Sequence, residues 1–258
     1  MARRRTKSKS KNRKDSEIKF LKTALDNNIN ASKNNQKRKS WTKHDLVSIR
    51  PKTEAQKELF HAWINGYSIC AHGSAGTGKT FLSLYLALSS VLNGEHDRIV
   101  IVRSAVPTRE VGFLKGSLEE KTEVYEEPYR SILTELIGRQ STYDDMKEAG
   151  KIEFMSTSFI RGLTIDNAII IIDEASSNTF HEISSVVTRV GLNTRVMCTG
   201  DIIQSDLNGK RGEVEGMSKA MKIFNSMKQF AMIEFTRDDI VRSEFVRDFI
   251  IASEDLTA

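Results

Sequence analysis

The sequence predicts an α/β fold in which a mostly parallel sheet is covered by helices on both faces. Strand-type segments alternate with helical segments from residue 67 onward, a pattern typical of parallel strands joined by crossover helices. A glycine-rich loop, GSAGTGKT, follows the first strand, and an acidic pair directly follows a run of isoleucines. With 258 residues, of which 39% are hydrophobic, the chain is long enough for one core of this kind.

The elements are predicted in chain order from capping patterns and apolar periodicity. Thr53 and Gln56 form a T-x-x-Q pattern that predicts the start of a helix, which ends at Asn65–Gly66. Short apolar runs after it predict strands, and longer amphipathic segments predict helices. The strands are expected at Tyr67–Ala71, Arg98–Arg103, Lys151–Met155, Ala168–Ile172, Arg195–Cys198 and Phe230–Phe235. The later helices are expected at about 79–92, 121–138, 142–149, 178–190, 213–227 and 239–252, with a loop at 105–120.

Positive charge is concentrated at the N-terminus. Residues 1–50 hold 16 Lys and Arg against 4 Asp and Glu, a net charge of +12, whereas the whole chain carries +5 and the remainder therefore −7. We interpret residues 1–50 as a basic, largely disordered arm with a short helix near 16–29, and residues 51–258 as the compact domain. Such an arm attracts polyanions such as nucleic acids, although a solvated tail has the same composition.

Several classes of protein are disfavoured by the composition. No apolar run approaches the roughly 18–20 residues that a membrane span needs, so no membrane association is expected. The basic N-terminus lacks the apolar stretch of a secretory signal, which leaves an organellar transit peptide as the alternative to a plain arm. Cys70 and Cys198 each lie in a short apolar run, which indicates buried, reduced residues and a cytoplasmic location.

The glycine-rich loop fits the phosphate-binding pattern G-x-x-x-x-G-K-[ST] and has the strand before it and the helix after it that this pattern requires. Its glycines allow backbone N–H groups to surround phosphates, and the helix N-terminus adds partial positive charge. Lys79 is expected to reach the β- and γ-phosphates, and the Thr80 hydroxyl to bind Mg²⁺. The predicted nucleotide-binding residues are Gly73, Ser74, Ala75, Gly76, Thr77, Gly78, Lys79 and Thr80.

The acidic pair supplies the other half of a hydrolytic site. Asp173 ends a buried strand, the position from which a carboxylate holds Mg²⁺ through water in phosphate-binding-loop enzymes. Glu174 follows directly and is the candidate general base for the attacking water. A pair of acids at a helix N-terminus is the structural alternative. Because the phosphate-binding loop is present in the same chain, we favour the catalytic interpretation.

A third strand tip carries a further polar group. The strand that ends at Thr199–Gly200–Asp201 is followed by Gln204, and GDIIQ resembles the GDxxQ motif of superfamily-one helicases. Gln204 is therefore a candidate sensor of the γ-phosphate. The alternative is an ordinary turn in which Asp201 caps a helix.

The chain resembles the PhoH-like proteins over nearly the whole predicted domain, from about Gln56 to Val246. The matching stretches appear in one order, with Ser74, Lys115, Ser176–Ser177 and Ser243 as departures from the family pattern. The stretches are GSAGTGKTFLSL, VRSAVPTREVGFLKG, EEPYRSIL, FIRGLTIDNAIIIIDEAS, the TRVG and GDIIQSDL blocks, and DDIVRSEFV.

This resemblance implies a helicase-like, RecA-like P-loop core that hydrolyses ATP and binds RNA or single-stranded nucleic acid. Basic and polar residues at and beyond strand tips fit such binding, and Phe113 and Phe159 are candidates to stack on bases. Ordinary loop charges and core aromatics are the alternative for each. The candidate nucleic-acid-binding residues are Arg103, Thr108, Arg109 and Arg161.

Two more residues have candidate roles in the nucleotide site. Gln56 lies upstream of the glycine loop where helicases often place a glutamine that reads adenine, although the capping pattern explains it equally well. Arg242, in the VR dipeptide of the family, is the candidate arginine finger, with Arg237 as the alternative. An ordinary surface ion pair is the other interpretation of Arg242.

Residues 51–258 have room for one RecA-like core, whereas a helicase grips nucleic acid between two. We therefore expect a homo-oligomer, such as a ring, in which Arg242 acts on the ATP of a neighbour. The favoured hypothesis is an ATP-driven motor or remodeler on single-stranded RNA or DNA. The rival is a nucleotide-regulated binding protein that switches a partner without translocation.

Overall fold

A computed structural model describes residues 41–104, 118–157, 160, 162–201 and 211–256. The predicted helix at 16–29 and nearly all of the predicted loop at 105–120 lie outside these ranges.

Six parallel strands, all within the described ranges, form one sheet. The strands are β1 (Ser68–Gly73), β2 (Arg98–Arg103), β3 (Ile152–Ser156), β4 (Ala168–Ile172), β5 (Arg195–Gly200) and β6 (Phe230–Phe235). Their spatial order is β3–β2–β4–β5–β1–β6. The acidic pair directly follows β4, and only β5 separates β4 from β1, the strand before the glycine loop. Since all strands are parallel, their carboxyl ends share one edge of the sheet, and ligands bind at that edge.

The helices connect these strands and confirm the predicted fold class, an α/β fold built on a parallel sheet. Short 3₁₀ turns occupy Lys43–Asp45, Ala175–Ser177 and Arg237–Asp239. The helices are α1 (Glu54–Ile64), α2 (Lys79–Leu92), α3 (Leu118–Ile137), α4 (Thr142–Glu148), α5 (Phe180–Val187), α6 (Arg211–Ser226) and α7 (Glu244–Asp255).

Two apolar layers cover the sheet because successive strand side chains point to opposite faces. In β4, Ile169 and Ile171 belong to one layer, whereas Ile170 and Ile172 belong to the other. Helices α1–α4 pack on the first layer, and α5 and α6 on the second. All five residues of β4 are buried, which explains why this strand is an uninterrupted apolar run.

The compact unit begins at Trp41, ten residues before the predicted boundary at 51. Trp41, Leu46 and Ile49 are partly buried against the first apolar layer, and the Val47 N–H donates to the Leu136 carbonyl at 2.9 Å. These apolar residues are isolated among polar ones, so no periodic pattern indicated that they pack on the core.

Helix α3 starts at Leu118, three residues inside the predicted loop, whereas two other helices start later than predicted because 3₁₀ turns precede them. Before α5, Thr179 and Glu182 form a capping box, so the helix starts at Phe180 rather than near 178. Before α7, Thr236 and Asp239 form a similar box around a 3₁₀ turn, and the helix starts at Glu244 rather than near 239.

Neither described cysteine forms a disulfide: Cys70 and Cys198 are free and buried on adjacent strands, as predicted. Among the described helices, none is long and apolar enough to cross a membrane.

Gly73 permits the close approach of the glycine loop to β6. Its φ is +119°, and a Cβ added there would overlap the carbonyl oxygen of Phe235. Gly94 is a matched control, since its φ is +75° but an added Cβ would meet nothing within 4 Å. We expect Gly73→Ala to lower the free energy of unfolding by about 1–3 kcal/mol more than Gly94→Ala, measured by urea denaturation. Equal losses would contradict the close approach.

Candidate functional site

The glycine loop runs from the end of β1 into the first turn of α2. Gly73, Gly76 and Gly78 all have positive φ, at 119°, 71° and 87°, a region that favours glycine. Gly78 is the N-cap residue of α2, so no side chain caps the first N–H groups of this helix. Those donors and the helix dipole make the loop suitable for an anion.

Lys79 is the first residue of α2, and its side chain lies against the glycine loop with 7% of the residue's surface exposed. Its Nζ donates to the Ser74 carbonyl at 2.6 Å and contacts the Gly73 carbonyl and the Thr77 hydroxyl at 3.4 and 3.3 Å. It also forms an ion pair with Asp201 Oδ1 at 2.6 Å. A carboxylate of the same chain thus contacts the ammonium group that is expected to bind phosphate.

Asp173 is buried and accepts hydrogen bonds on both carboxylate oxygens. The hydroxyls of Thr80 and Thr199 donate to Oδ1 at 2.7 and 2.6 Å. The phenol of Tyr129 donates to Oδ2 at 2.8 Å. The three donors come from α2, β5 and α3, so the carboxylate joins the glycine loop to two neighbouring elements.

The pair formed by Thr80 and Asp173 fits Mg²⁺. Hydroxyl and carboxylate oxygens are the ligands that this cation prefers, and it is usually held by one or two carboxylates together with substrate phosphates. The described ranges contain no group of three or more His, Cys, Asp and Glu that could hold a metal by themselves.

Glu174 is the residue next to Asp173, and its backbone is unusual. It has φ 51° and ψ 43°, the left-handed region that costs a non-glycine residue about 1–2 kcal/mol. Its carboxyl group reaches solvent, but nearby protein removes part of its hydration and raises its pKa. The negative charges of Asp173 and Asp201 raise the pKa further, whereas Arg103 and Lys79 oppose the shift. A raised pKa suits a general base.

Arg103 ends β2 near Glu174, with its guanidinium 5.9 Å from the centre of the Tyr125 ring. Ser104, which follows it, is buried, and its hydroxyl donates to Glu182 at 3.4 Å. The other candidate nucleic-acid-binding residues, Thr108, Arg109 and Arg161, lie outside the described residues. The same holds for Phe113, Phe159 and the candidate sensor Gln204.

Gln56 connects the start of α1 to the glycine loop. Its backbone N–H donates a hydrogen bond to the Thr53 hydroxyl, as the capping pattern predicts. Its side chain, however, does not bond back to Thr53, so the capping box is incomplete. Instead Oε1 accepts from the Lys52 N–H at 2.8 Å, and Nε2 donates to the Thr77 carbonyl at 3.1 Å. Each bond uses one of the two donor or two acceptor positions of this amide, and the residue is 3% exposed.

Arg242 lies against the glycine loop of its own chain. The Val241 N–H donates to the Gly76 carbonyl at 3.1 Å, and a Cβ added to Gly76 would be 3.0 Å from Arg242 Cγ. The stem of this arginine thus lies beside the glycine loop of its own chain, because the chain returns to the loop after β6. The alternative, Arg237, pairs with Glu254 and Asp255 at 2.7 and 2.6 Å.

Three residues of the site had no predicted role there. Tyr129 lies in the EEPYRSIL stretch, which was used only as part of the resemblance to the PhoH-like proteins. Thr199 and Asp201 lie at the strand tip at which only Gln204 was given a role in the nucleotide site. The signal that could have found the last two is their position, since polar residues at the carboxyl ends of parallel strands share one edge.

The chain is a P-loop protein. GSAGTGKT connects β1 to α2 in a parallel sheet, and Asp173, which directly follows β4, accepts a hydrogen bond from Thr80 of this loop. Within that class, the chain belongs to the PhoH-like protein family, whose model matches residues 48–254.

Two relatives and one solved structure illustrate the similarity. PhoH-like proteins of Bacillus subtilis and of Synechocystis are 34% and 35% identical, each over 80% of this chain and over 64% and 62% of their own lengths. The chain thus spans somewhat less than two thirds of these relatives. The large terminase of a thermophilic bacteriophage, solved in complex with ADP, is 13% identical over 76% of this chain and 48% of its own, with a TM-score of 0.46.

The ion pair between Asp201 and Lys79 predicts competition with bound phosphate. Asp201→Asn should tighten the binding of a fluorescent ADP analogue several-fold, because the phosphate no longer displaces a carboxylate from the ammonium group. The control is Asp144→Asn, an exposed charge on α4. Weaker binding by Asp201→Asn would show instead that this carboxylate serves the bound nucleotide.

Proposed function

We propose that this protein binds and hydrolyses ATP with Mg²⁺. The observation that carries the proposal is the 2.7 Å hydrogen bond from the Thr80 hydroxyl to Asp173, which brings the glycine loop and the acidic pair together. This hydrogen bond joins two distant stretches of sequence. Together they offer oxygen ligands for Mg²⁺, the ammonium group of Lys79 and the candidate base Glu174, which are the groups that phosphoryl transfer to water requires.

Each residue of the site has a separate role. Lys79 stabilises negative charge on the β- and γ-phosphates once Asp201 has released it. Thr80 and Asp173 would hold Mg²⁺, which supplies charge neutralisation at the phosphates. Glu174, with its raised pKa, accepts a proton from the attacking water.

Three further residues complete the proposed site. Gln204 senses the γ-phosphate, and Gln56 contacts adenine with the part of its amide that the backbone leaves free. Arg242 neutralises charge that develops on the phosphates. Its stem lies over Gly76, which supports action on the ATP of its own chain.

Two substitutions separate binding from hydrolysis. Lys79→Ala should weaken ATP binding and abolish turnover, because it removes charge from the phosphates. Glu174→Gln should keep ATP bound and slow hydrolysis by about 10²–10⁴-fold, because only proton transfer is removed. Activity of the wild type should fall with decreasing pH at a value above the ordinary pKa of Glu, since the base must be unprotonated and its pKa is raised.

The measurements are equilibrium ATP binding and steady-state phosphate release across pH. The control is Glu148→Gln, an exposed glutamate at the end of α4, which should behave as wild type. Normal turnover by Glu174→Gln would remove Glu174 from the role of base.

We propose further that the protein is a motor or remodeler on single-stranded RNA or DNA. Arg103 supports this, since it lies at the ligand-binding edge of the sheet within electrostatic reach of Glu174. The proposed contacts with nucleic acid also include Thr108, Arg109 and Arg161. Residues 1–40, with 14 Lys and Arg against 3 Asp and Glu and thus a net charge of +11, add non-specific attraction to phosphates.

A homo-oligomer in the cytoplasm is part of the same proposal. The described residues form one core, whereas helicases grip nucleic acid between two, so in this proposal a second copy provides the opposing surface. Helix α7 supports this because Phe245 and Phe249, one turn apart, are 82% and 69% exposed.

A motor differs from a nucleotide-regulated switch in its response to nucleic acid. Single-stranded RNA or DNA should accelerate ATP hydrolysis by the full chain, whereas heparin, a polyanion without bases, should not. Without residues 1–40, half-maximal stimulation should need more nucleic acid, and the difference should shrink as salt is raised. Hydrolysis that is indifferent to every nucleic acid would favour the switch.

A further inference from the structure

The phenol of Tyr129 occupies a position that packing does not require. Tyr129 is fully buried, and its ring packs 6.0 Å from that of Phe154. A phenylalanine would fill the same space without burying a hydroxyl, and a buried hydroxyl is costly unless it is hydrogen-bonded. Here it donates to Asp173 Oδ2 at 2.8 Å, so its partner is a carboxylate of the nucleotide site.

The two oxygens of Asp173 are held in different ways. Oδ1 accepts from two threonine hydroxyls, one of which, on Thr80, is the proposed Mg²⁺ ligand. If Thr80 turns its oxygen to the cation, its bond to the carboxylate weakens. Tyr129 is on α3, outside the glycine loop, so its bond to Oδ2 is independent of that change.

A second tyrosine shows that α3 faces the acidic pair over a full turn. Tyr125 lies four residues before Tyr129, on the same side of the helix. Its ring contacts the Arg103 guanidinium, which is in electrostatic reach of Glu174. Helix α3 thus contacts Asp173 directly through Tyr129, and through Tyr125 it contacts an arginine whose charge acts on Glu174.

We propose that Tyr129 is a positioning residue of the nucleotide site, whose phenol holds the Asp173 carboxylate in the orientation that receives Mg²⁺. This inference rests on the proposed function. It assigns to Tyr129 no contact with ATP and no proton transfer, and it concerns only the carboxylate that Tyr129 orients.

The test is the Mg²⁺ dependence of nucleotide binding, which needs no turnover. Tyr129→Phe should bind a fluorescent ATP analogue as the wild type does in EDTA. The Mg²⁺ concentration for half-maximal enhancement of binding should rise about tenfold, as expected for the loss of one hydrogen bond to a charged group. Tyr143→Phe, a second fully buried tyrosine on α4, is the matched control and should leave the midpoint unchanged.

Melting temperatures of both variants without nucleotide complete the experiment. If Tyr129→Phe melts at a lower temperature but keeps the wild-type Mg²⁺ midpoint, the hydroxyl is structural and the inference is wrong. An equal shift of the midpoint in Tyr143→Phe would also overturn it. If the wild type shows no Mg²⁺-dependent binding, the proposed function fails instead.

Discussion

The buried carboxylate of Asp173 is the constraint on which the rest of the site depends. A carboxylate with 3% exposure must be compensated by hydrogen bonds, because leaving it unpaired costs far more than one bond returns. Its donors come from α2, β5 and α3, so these elements can pack only where their hydroxyls reach it. The strand order meets this requirement by placing β5 between β4 and β1.

The strained backbone of Glu174 follows from the same constraint. The chain must leave β4 immediately after Asp173, because Gly200 at the end of β5 lies against the turn that follows. A Cβ on Gly200 would be 3.0 Å from the Ser176 nitrogen. The left-handed conformation of Glu174 accomplishes this turn and keeps its carboxyl group near Asp173 and Asp201, where the pKa is raised. Strain at a functional site is thus balanced by packing around it.

The sequence was informative where structure is local. The bounds of α2, β2, β4 and β6 agree with prediction. The signals that predict them, apolar periodicity and glycines at the ends of elements, depend only on residues close together in the sequence. The bond from Tyr129 to Asp173 spans 44 residues, and no local pattern records it. The side chain of Gln56 illustrates the same limit. It donates a hydrogen bond to the Thr77 carbonyl, 21 residues away, and does not complete the capping box of its own helix. A polar side chain can form a hydrogen bond with any of several partners. Tertiary packing determines which of them it contacts.

Arg242 shows how topology changes a functional argument. From the sequence, a single core led to the expectation that this arginine acts on the ATP of a neighbour. The hydrogen bond from the Val241 N–H to the Gly76 carbonyl holds Arg242 beside its own loop, so its position does not by itself require an oligomer. Helix α7, which follows directly, exposes two phenylalanines, and this apolar surface is the observation that favours an oligomer. Ile250 of the same helix approaches Gly76, so a subunit docked on α7 would contact the element that packs on the glycine loop. In the proposed oligomer, assembly would then act on ATP through the placement of Arg242 within one chain, rather than by supplying an arginine from another.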